Sequence, residues 1–177
     1  MVFQESWQIR KGELVRKCKS SNLKTMSSCT ICRLHTDIEA RSKYEVGRDD
    51  LWILRHHPDP APLPGWLLMD ARRHLGGPLE FLPQEAADWG ASVQAASRLV
   101  QELTGCARVY AIAFGEGARH LHLHLIPRFD HDPTSEAWRV ADLYRAVEDG
   151  SRAPATAEEV SALVERGRAL WPELRVH

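Results

Sequence analysis

Between residues 120 and 126 the chain reads His-Leu-His-Leu-His-Leu-Ile, three imidazoles separated by single leucines. Side chains on an extended strand alternate between faces. His120, His122 and His124 therefore share one face, and Leu121, Leu123 and Leu125 the other. Two residues of strand rise set neighbouring imidazoles roughly 6–7 Å apart. Histidine titrates near neutrality, so such a row can supply a nucleophile, a proton carrier or a metal ligand. Its N–H groups can also donate to phosphate oxygens. An H-x-H pair on a strand also suits zinc or iron. Strict alternation with leucine inside a strand pattern is not the composition of a tag or of a solvated surface run.

A second set of reactive side chains precedes this one. Cys29 and Cys32 form a C-x-x-C pair, while Cys18 and Cys106 stand apart. The charged N-terminus has no apolar run of the secretory kind and no segment is long and apolar enough to span a bilayer, so the expected location is the cytoplasm. There a C-x-x-C reads as metal binding or redox chemistry rather than as part of a disulfide framework. A redox pair opens a helix after a strand in a thioredoxin-like unit, and that pattern is missing. Structural zinc needs four ligands. His35, three residues past Cys32, is a candidate third ligand.

These groups need a scaffold. Leu51 to Arg55 (LWILR) is a short apolar run with strand character. The loop containing Pro58, Pro60, Pro62 and Pro64 follows, where Pro cannot feed a sheet ladder. His56 and His57 at its start are expected to be exposed. Gly65 opens a second strand, Trp66 to Met69. Pro83 suits the first position of a helix. Trp89, Val93, Ala96, Val100 and Leu103 recur at steps of four and three, one buried stripe that stops near Gly105. Arg108 to Phe114 is a third strand, Gly115-Glu116-Gly117 a turn, and residues 119–126 a fourth strand. Helical patterns then cover residues 136–148 and 156–170, split by Gly150 to Pro154. Trp138 is expected to pack, the alternative being that it stacks on a base or caps the cleft. Residues 1–28, with Lys and Arg set among serines, read as a mobile extension, and Met26 as an alternative start. Residues 29–177 read as a single α+β domain with a helical tail from about 134.

The chain has 177 residues, 44% of them hydrophobic, and a formal net charge of −1. One core-bearing domain fits that length. Balanced charge excludes the broad basic surface of a sequence-independent nucleic-acid binder.

The run HLHLHLI resembles the His-φ-His-φ-His-φ-φ signature (φ apolar) of the histidine triad family. The likeness continues upstream through Cys29-Thr-Ile-Cys32, Gly65-Trp-Leu-Leu-Met-Asp-Ala-Arg-Arg-His74, the long helix and the glycine turn, covering about residues 29–130. It implies an antiparallel sheet of about five strands with one long helix packed on it. It also implies a nucleotide hydrolase or nucleotidyl transferase that cleaves at the α-phosphate of a nucleoside phosphate derivative such as a phosphoramidate or dinucleoside polyphosphate. By that resemblance His122 is the nucleophile that carries the nucleotidyl group. His124 stabilises phosphate oxygens, and His120 orients the nucleophile's surroundings or holds metal. Cys29, Cys32, His74 and His120 would then hold a structural zinc, and no catalytic metal is required. Many members dimerise, so a second copy of the chain is an expected partner beside the nucleotide. A phosphorylase-type transferase and a nucleotide-binding module with little turnover are the alternatives. The sequence departs from the pattern at Trp66, where many relatives have a fourth histidine, and in the short Gly115–Ala118 loop, which lacks the usual Ser, Thr or Gln. Arg119 and Arg128 flank the triad strand as candidate phosphate contacts. Cys18 and Cys106 are bystanders.

Overall fold

A computed structural model of the chain describes residues 28–175. The expected N-terminal extension, with Cys18 and Met26, lies outside the described residues except for Ser28. The first two elements are short helices, α1 (Thr30–Thr36) and α2 (Ile38–Tyr44). Asp37 starts α2, its Oδ1 accepting the Glu39 and Ala40 N–H groups at 2.9 and 3.0 Å, a strong N-cap. At two turns each, neither shows the sustained stripe by which periodicity reveals a helix.

Five strands follow: β1 (Glu45–Arg48), β2 (Trp52–His56), β3 (Leu67–Ala71), β4 (Arg108–Ala113) and β5 (His122–Arg128). They form one antiparallel sheet in the order β1-β2-β3-β5-β4. The fold is therefore the α+β architecture expected from sequence. The strand missed there is β1, whose Glu-Val-Gly-Arg has no apolar alternation. The triad strand also begins later than expected, at His122, so His120 lies in the bend before it.

The long helix α3 (Pro83–Thr104) packs across one sheet face. Its N-terminus is closed by the Glu85 carboxylate, which accepts the Leu82 N–H at 2.7 Å and pairs with Arg73 at 2.8 Å. Its end is set by Gly105 in the left-handed conformation (φ 66°), which glycine adopts without steric cost. Ala96, Leu99, Val100 and Leu103 bury against Trp52, Leu54, Leu67, Met69, Leu121, Leu123 and Leu125. The leucines of the triad thus face the helix. On the opposite face, α4 (Val140–Glu148) contributes Val140 and Leu143 to a smaller cluster with Leu63, Trp66, Leu68 and Ile126.

The last described helix, α5 (Ala157–Leu174), starts with a reciprocal cap, Thr156 accepting from Glu159 N–H and Glu159 from Thr156 N–H. It packs on α3 and on β1. Trp171 covers Gly47, where a Cβ would fall inside the indole ring's van der Waals shell. Arg168 donates to the Glu45 carbonyl at 2.8 Å. Arg175 reaches Asp49 at 2.9 Å and Asp88 at 2.8 Å. The helical tail is thus part of the main core. Among the described residues no helix is long and apolar enough to cross a membrane.

Because β1 lacks its own apolar face, its seating depends on this lid of indole. Gly47→Val should destabilise the fold by about 1–3 kcal/mol through overpacking, and Trp171→Ala by about 3–5 kcal/mol. Urea denaturation of the two variants checks this. A Gly47→Val protein as stable as the parent would show that Trp171 does not seat on the glycine.

Candidate functional site

The three histidines divide into two groups. His122 and His124 lie on β5, their ring centroids 5.1 Å apart. His120, in the bend, turns toward the N-terminal helices, where its Nδ1 lies 3.5 Å from Cys29 Sγ and 3.3 Å from Cys32 Sγ. His74 Nδ1 lies 3.3 Å from Cys32 Sγ. The four ligand atoms of Cys29, Cys32, His74 and His120 all fall within 4.8 Å of one another. A tetrahedral zinc with Zn–S about 2.3 Å and Zn–N about 2.0 Å requires ligand atoms spaced on this scale. Burial first, and then the Cys29 thiol, push the Cys32 thiol up to about 11, so a cation is needed for this sulfur to be a thiolate at neutral pH. His120 Nε2–H donates to the Ala71 carbonyl at 2.7 Å, which leaves the Nδ1 lone pair facing the sulfurs, the usual support of a metal-binding histidine. The donor set therefore fits zinc.

His35, the other candidate ligand, is not in this group. Its Nε2 lies 2.9 Å from Asp70 Oδ2, and its ring meets His120 edge-on at 5.3 Å. Asp70 sits on β3 directly opposite His122. Arg55 on β2 completes the group, its Nε 2.6 Å from Asp70 Oδ2 and its Nη2 3.2 Å from Oδ1. Neither Arg55 nor Asp70 was singled out from sequence. The signal was there as one charge in each of two otherwise apolar strand runs, Arg55 in LWILR and Asp70 in LLMDA. Burial alone would raise the Asp70 carboxyl. Arg55 and His35 reverse that and hold it down at about 2.

The reactive nitrogens are sorted by their hydrogen bonds. His122 Nδ1 donates to the His120 carbonyl at 2.6 Å. With its proton there, Nε2 carries the lone pair on a half-buried ring. His124 is buried, and its Nδ1 accepts from Trp66 Nε1–H at 3.1 Å. Burial pushes His124 down to about 3, with His122 adding to the effect. Phe114 packs edge-on against the His124 ring at 5.0 Å.

Beside them, His57 donates through Nδ1 to Pro58 O at 2.7 Å and accepts through Nε2 from the Tyr144 hydroxyl at 2.8 Å. Burial lowers His57 to about 4 and raises Tyr144 to about 12. His56 and His57 are therefore not the exposed pair expected from sequence. His56 is 0% exposed and accepts the Gly65 N–H at 3.0 Å, because the proline loop folds back over it. Trp138 also departs from expectation: it is 92% exposed, since the short turn before α4 aims it outward. Arg128 is engaged elsewhere, by Ser135 Oγ at 3.4 Å and Glu136 at 3.8 Å. Arg119 and the Gly115–Gly117 turn are exposed. Cys106 is buried in the core.

No family sequence profile matches the chain, nor does any curated protein. Solved structures do. A histidine triad nucleotide-binding protein from Sulfolobus tokodaii, described as hypothetical, superposes with a TM-score of 0.61 at 18% identity, over 83% of this chain and 94% of that one. A zinc-bound histidine triad family protein from Mycobacterium smegmatis gives 0.58 at 17% identity, over 84% and 98%. A Hit-like protein from Bartonella henselae gives 0.58 at 18% identity, over 81% and 96%. The fold is that of the histidine triad proteins.

Asp70 is the anion on which the buried charges balance. Its carboxyl is depressed in the folded state, so it contributes stability above about pH 4 and loses it as pH falls toward about 2. Asp70→Asn leaves Arg55 uncompensated and should cost about 3–5 kcal/mol at neutral pH. Urea unfolding of parent and variant should show that gap narrowing between about pH 4 and 2. A pH-independent gap would mean that packing, not charge, is what Asp70 supplies.

Proposed function

We propose that this chain, folded as a histidine triad protein, is a nucleotide hydrolase or nucleotidyl transferase that cleaves at the α-phosphate of a nucleoside phosphate derivative. The carrying observation is the His122 Nδ1–H bond to the His120 carbonyl at 2.6 Å. It directs Nδ1–H to the carbonyl, so in the neutral ring the lone pair is on Nε2 and the nucleophile needs no base to activate it. Nε2 attacks the α-phosphorus and forms an N–P bond as the bond to the leaving group breaks. The leaving group takes the electron pair and a proton from solvent. The proton stays on Nδ1, hydrogen-bonded to the His120 carbonyl, and that bond stabilises the cationic nucleotidyl-histidine. Water then attacks phosphorus and gives up a proton to solvent, the N–P electron pair returns to Nε2, and a nucleoside monophosphate departs. His124 supplies an N–H to the phosphate oxygens, where charge gathers in the transition state.

Nucleotide binding by this chain is supported by the description of the Sulfolobus tokodaii neighbour as nucleotide-binding. Zinc held by Cys29, Cys32, His74 and His120 is structural in this reading. It would tie α1 to the turn after β3 and to the bend before β5, and takes no part in bond cleavage. The zinc-bound Mycobacterium smegmatis neighbour supports that assignment. The expected setting is the cytoplasm, with the nucleotide and a second copy of the chain as partners.

Metal analysis should find about one zinc per chain. Cys29→Ser and Cys32→Ser should lose metal and melting temperature together, because binding energy at such a site is folding energy. Full zinc occupancy after loss of both cysteines would overturn the ligand set.

His122→Ala should abolish turnover of adenosine phosphoramidate and diadenosine polyphosphate substrates while nucleotide affinity changes little, since the lost group acts only on the bond being broken. Acid-quenched parent enzyme should carry a nucleoside monophosphate adduct at position 122. Running the reaction with and without inorganic phosphate tells hydrolysis from phosphorolysis. A His122→Ala protein that turns over at close to the parent rate would sink the mechanism.

A further inference from the structure

The two nitrogens of His124 have unlike surroundings. Nδ1 faces Trp66 Nε1 at 3.1 Å. An indole N–H can only donate, so Nδ1 must hold a lone pair and the ring proton must sit on Nε2. Nε2 is sealed from solvent and has no protein partner, one of two such buried side-chain atoms among the described residues. A buried N–H with no acceptor carries its desolvation penalty uncompensated. Native folds rarely leave such a group, and a ligand or catalytic role is a usual reason for one.

The ring cannot easily escape this arrangement. Trp66 is 0% exposed, wedged among Leu63, Leu68, Ile126, Val140 and Leu143. The Trp66 and Phe114 rings meet His124 edge-on at 5.7 and 5.0 Å. A second proton would have to go on Nδ1, facing the indole donor head to head. His122, His57 and Arg55 also oppose a positive charge there, and only Asp70 favours one.

We propose that Trp66 is a positioning residue that locks His124 in the neutral Nε2–H tautomer, so that His124 meets a phosphate oxygen as a single fixed donor and cannot act as an imidazolium acid. The functional half of this inference rests on the reading of His122 as nucleophile; the tautomer does not. A tryptophan at the entrance to β3, where many histidine triad sequences have a histidine, is then no loss of function. The indole N–H does not titrate, so this partner of His124 never changes its protonation.

The test is long-range proton–nitrogen NMR of the full-length, zinc-loaded, nitrogen-15-labelled protein without nucleotide. His124 should show a pyridine-type Nδ1 and a pyrrole-type Nε2, unchanged across neutral pH. Adding AMP should shift Nε2 and its proton and leave Nδ1 in place. Trp66→Phe keeps an aromatic ring in the pocket but removes the N–H. In that variant the two tautomers should mix, and kcat should fall about tenfold with KM little changed, the size of one hydrogen bond. A parent spectrum with the proton on Nδ1, or with both nitrogens protonated, overturns the proposal whether or not the variant folds. So does a Trp66→Phe protein with His124 still locked and kcat unaltered. A locked tautomer in a protein without turnover would support the lock by Trp66 and count against the reading of His122 as nucleophile.

Discussion

The register of β3 against β5 is the constraint on which the site depends. It sets Asp70 opposite His122 and Leu68 opposite His124. The leucines between the histidines then fall on the α3 side, where they fill the main core. A slip of one residue would exchange those faces, sending imidazoles into the core and leucines to the reactive side. The apolar burial of Leu121, Leu123 and Leu125 therefore fixes the chemistry of their neighbours. Stability and reactivity share one alternating pattern, and neither can be shifted alone.

That alternation is why so much was legible in the sequence. The triad, the long helix with its Pro83 start and Gly105 stop, and the strands β2 to β5 all carry strong local signals. What escaped has a physical reason in each case. β1 has a glycine where an apolar side chain would mark it, because Trp171 from distant sequence occupies that space. The burial of His56 comes from a loop folding back, which no local pattern encodes. His120 looks like a strand residue by spacing, yet the strand starts two residues later and its ring points to the cysteines. The Arg55–Asp70–His35 group joins three separate segments, so only the assembled sheet brings it together.

The electrostatics of the histidine face follow from burial rather than from charge display. His120, His124 and His57 are pushed down to about 4, 3 and 4, so at neutral pH they are neutral. The charge beneath them, Arg55, is matched by Asp70. An anionic ligand would thus meet one oriented N–H, that of His124, in place of a cationic patch. Binding at such a face would depend on the direction of the ligand's acceptor and would respond less to ionic strength than binding to a surface of lysines and arginines.

The contact between α5 and β1 also bears on how the fold is reached. Arg168 and Glu45 are 123 residues apart in the chain, and the Trp171–Gly47 seat spans a similar distance. The entropy of closing such a loop rises only slowly with its length, yet it must be overcome before the contact returns anything. Local pieces such as the β2–β3 pair and α3 can form without it. The β1–β2 pairing is itself local, so it is only the cover from α5 that needs this closure. A chain that lost this seat would keep β1 as an edge strand without the cover of α5, and an uncovered edge is open to pairing with another chain.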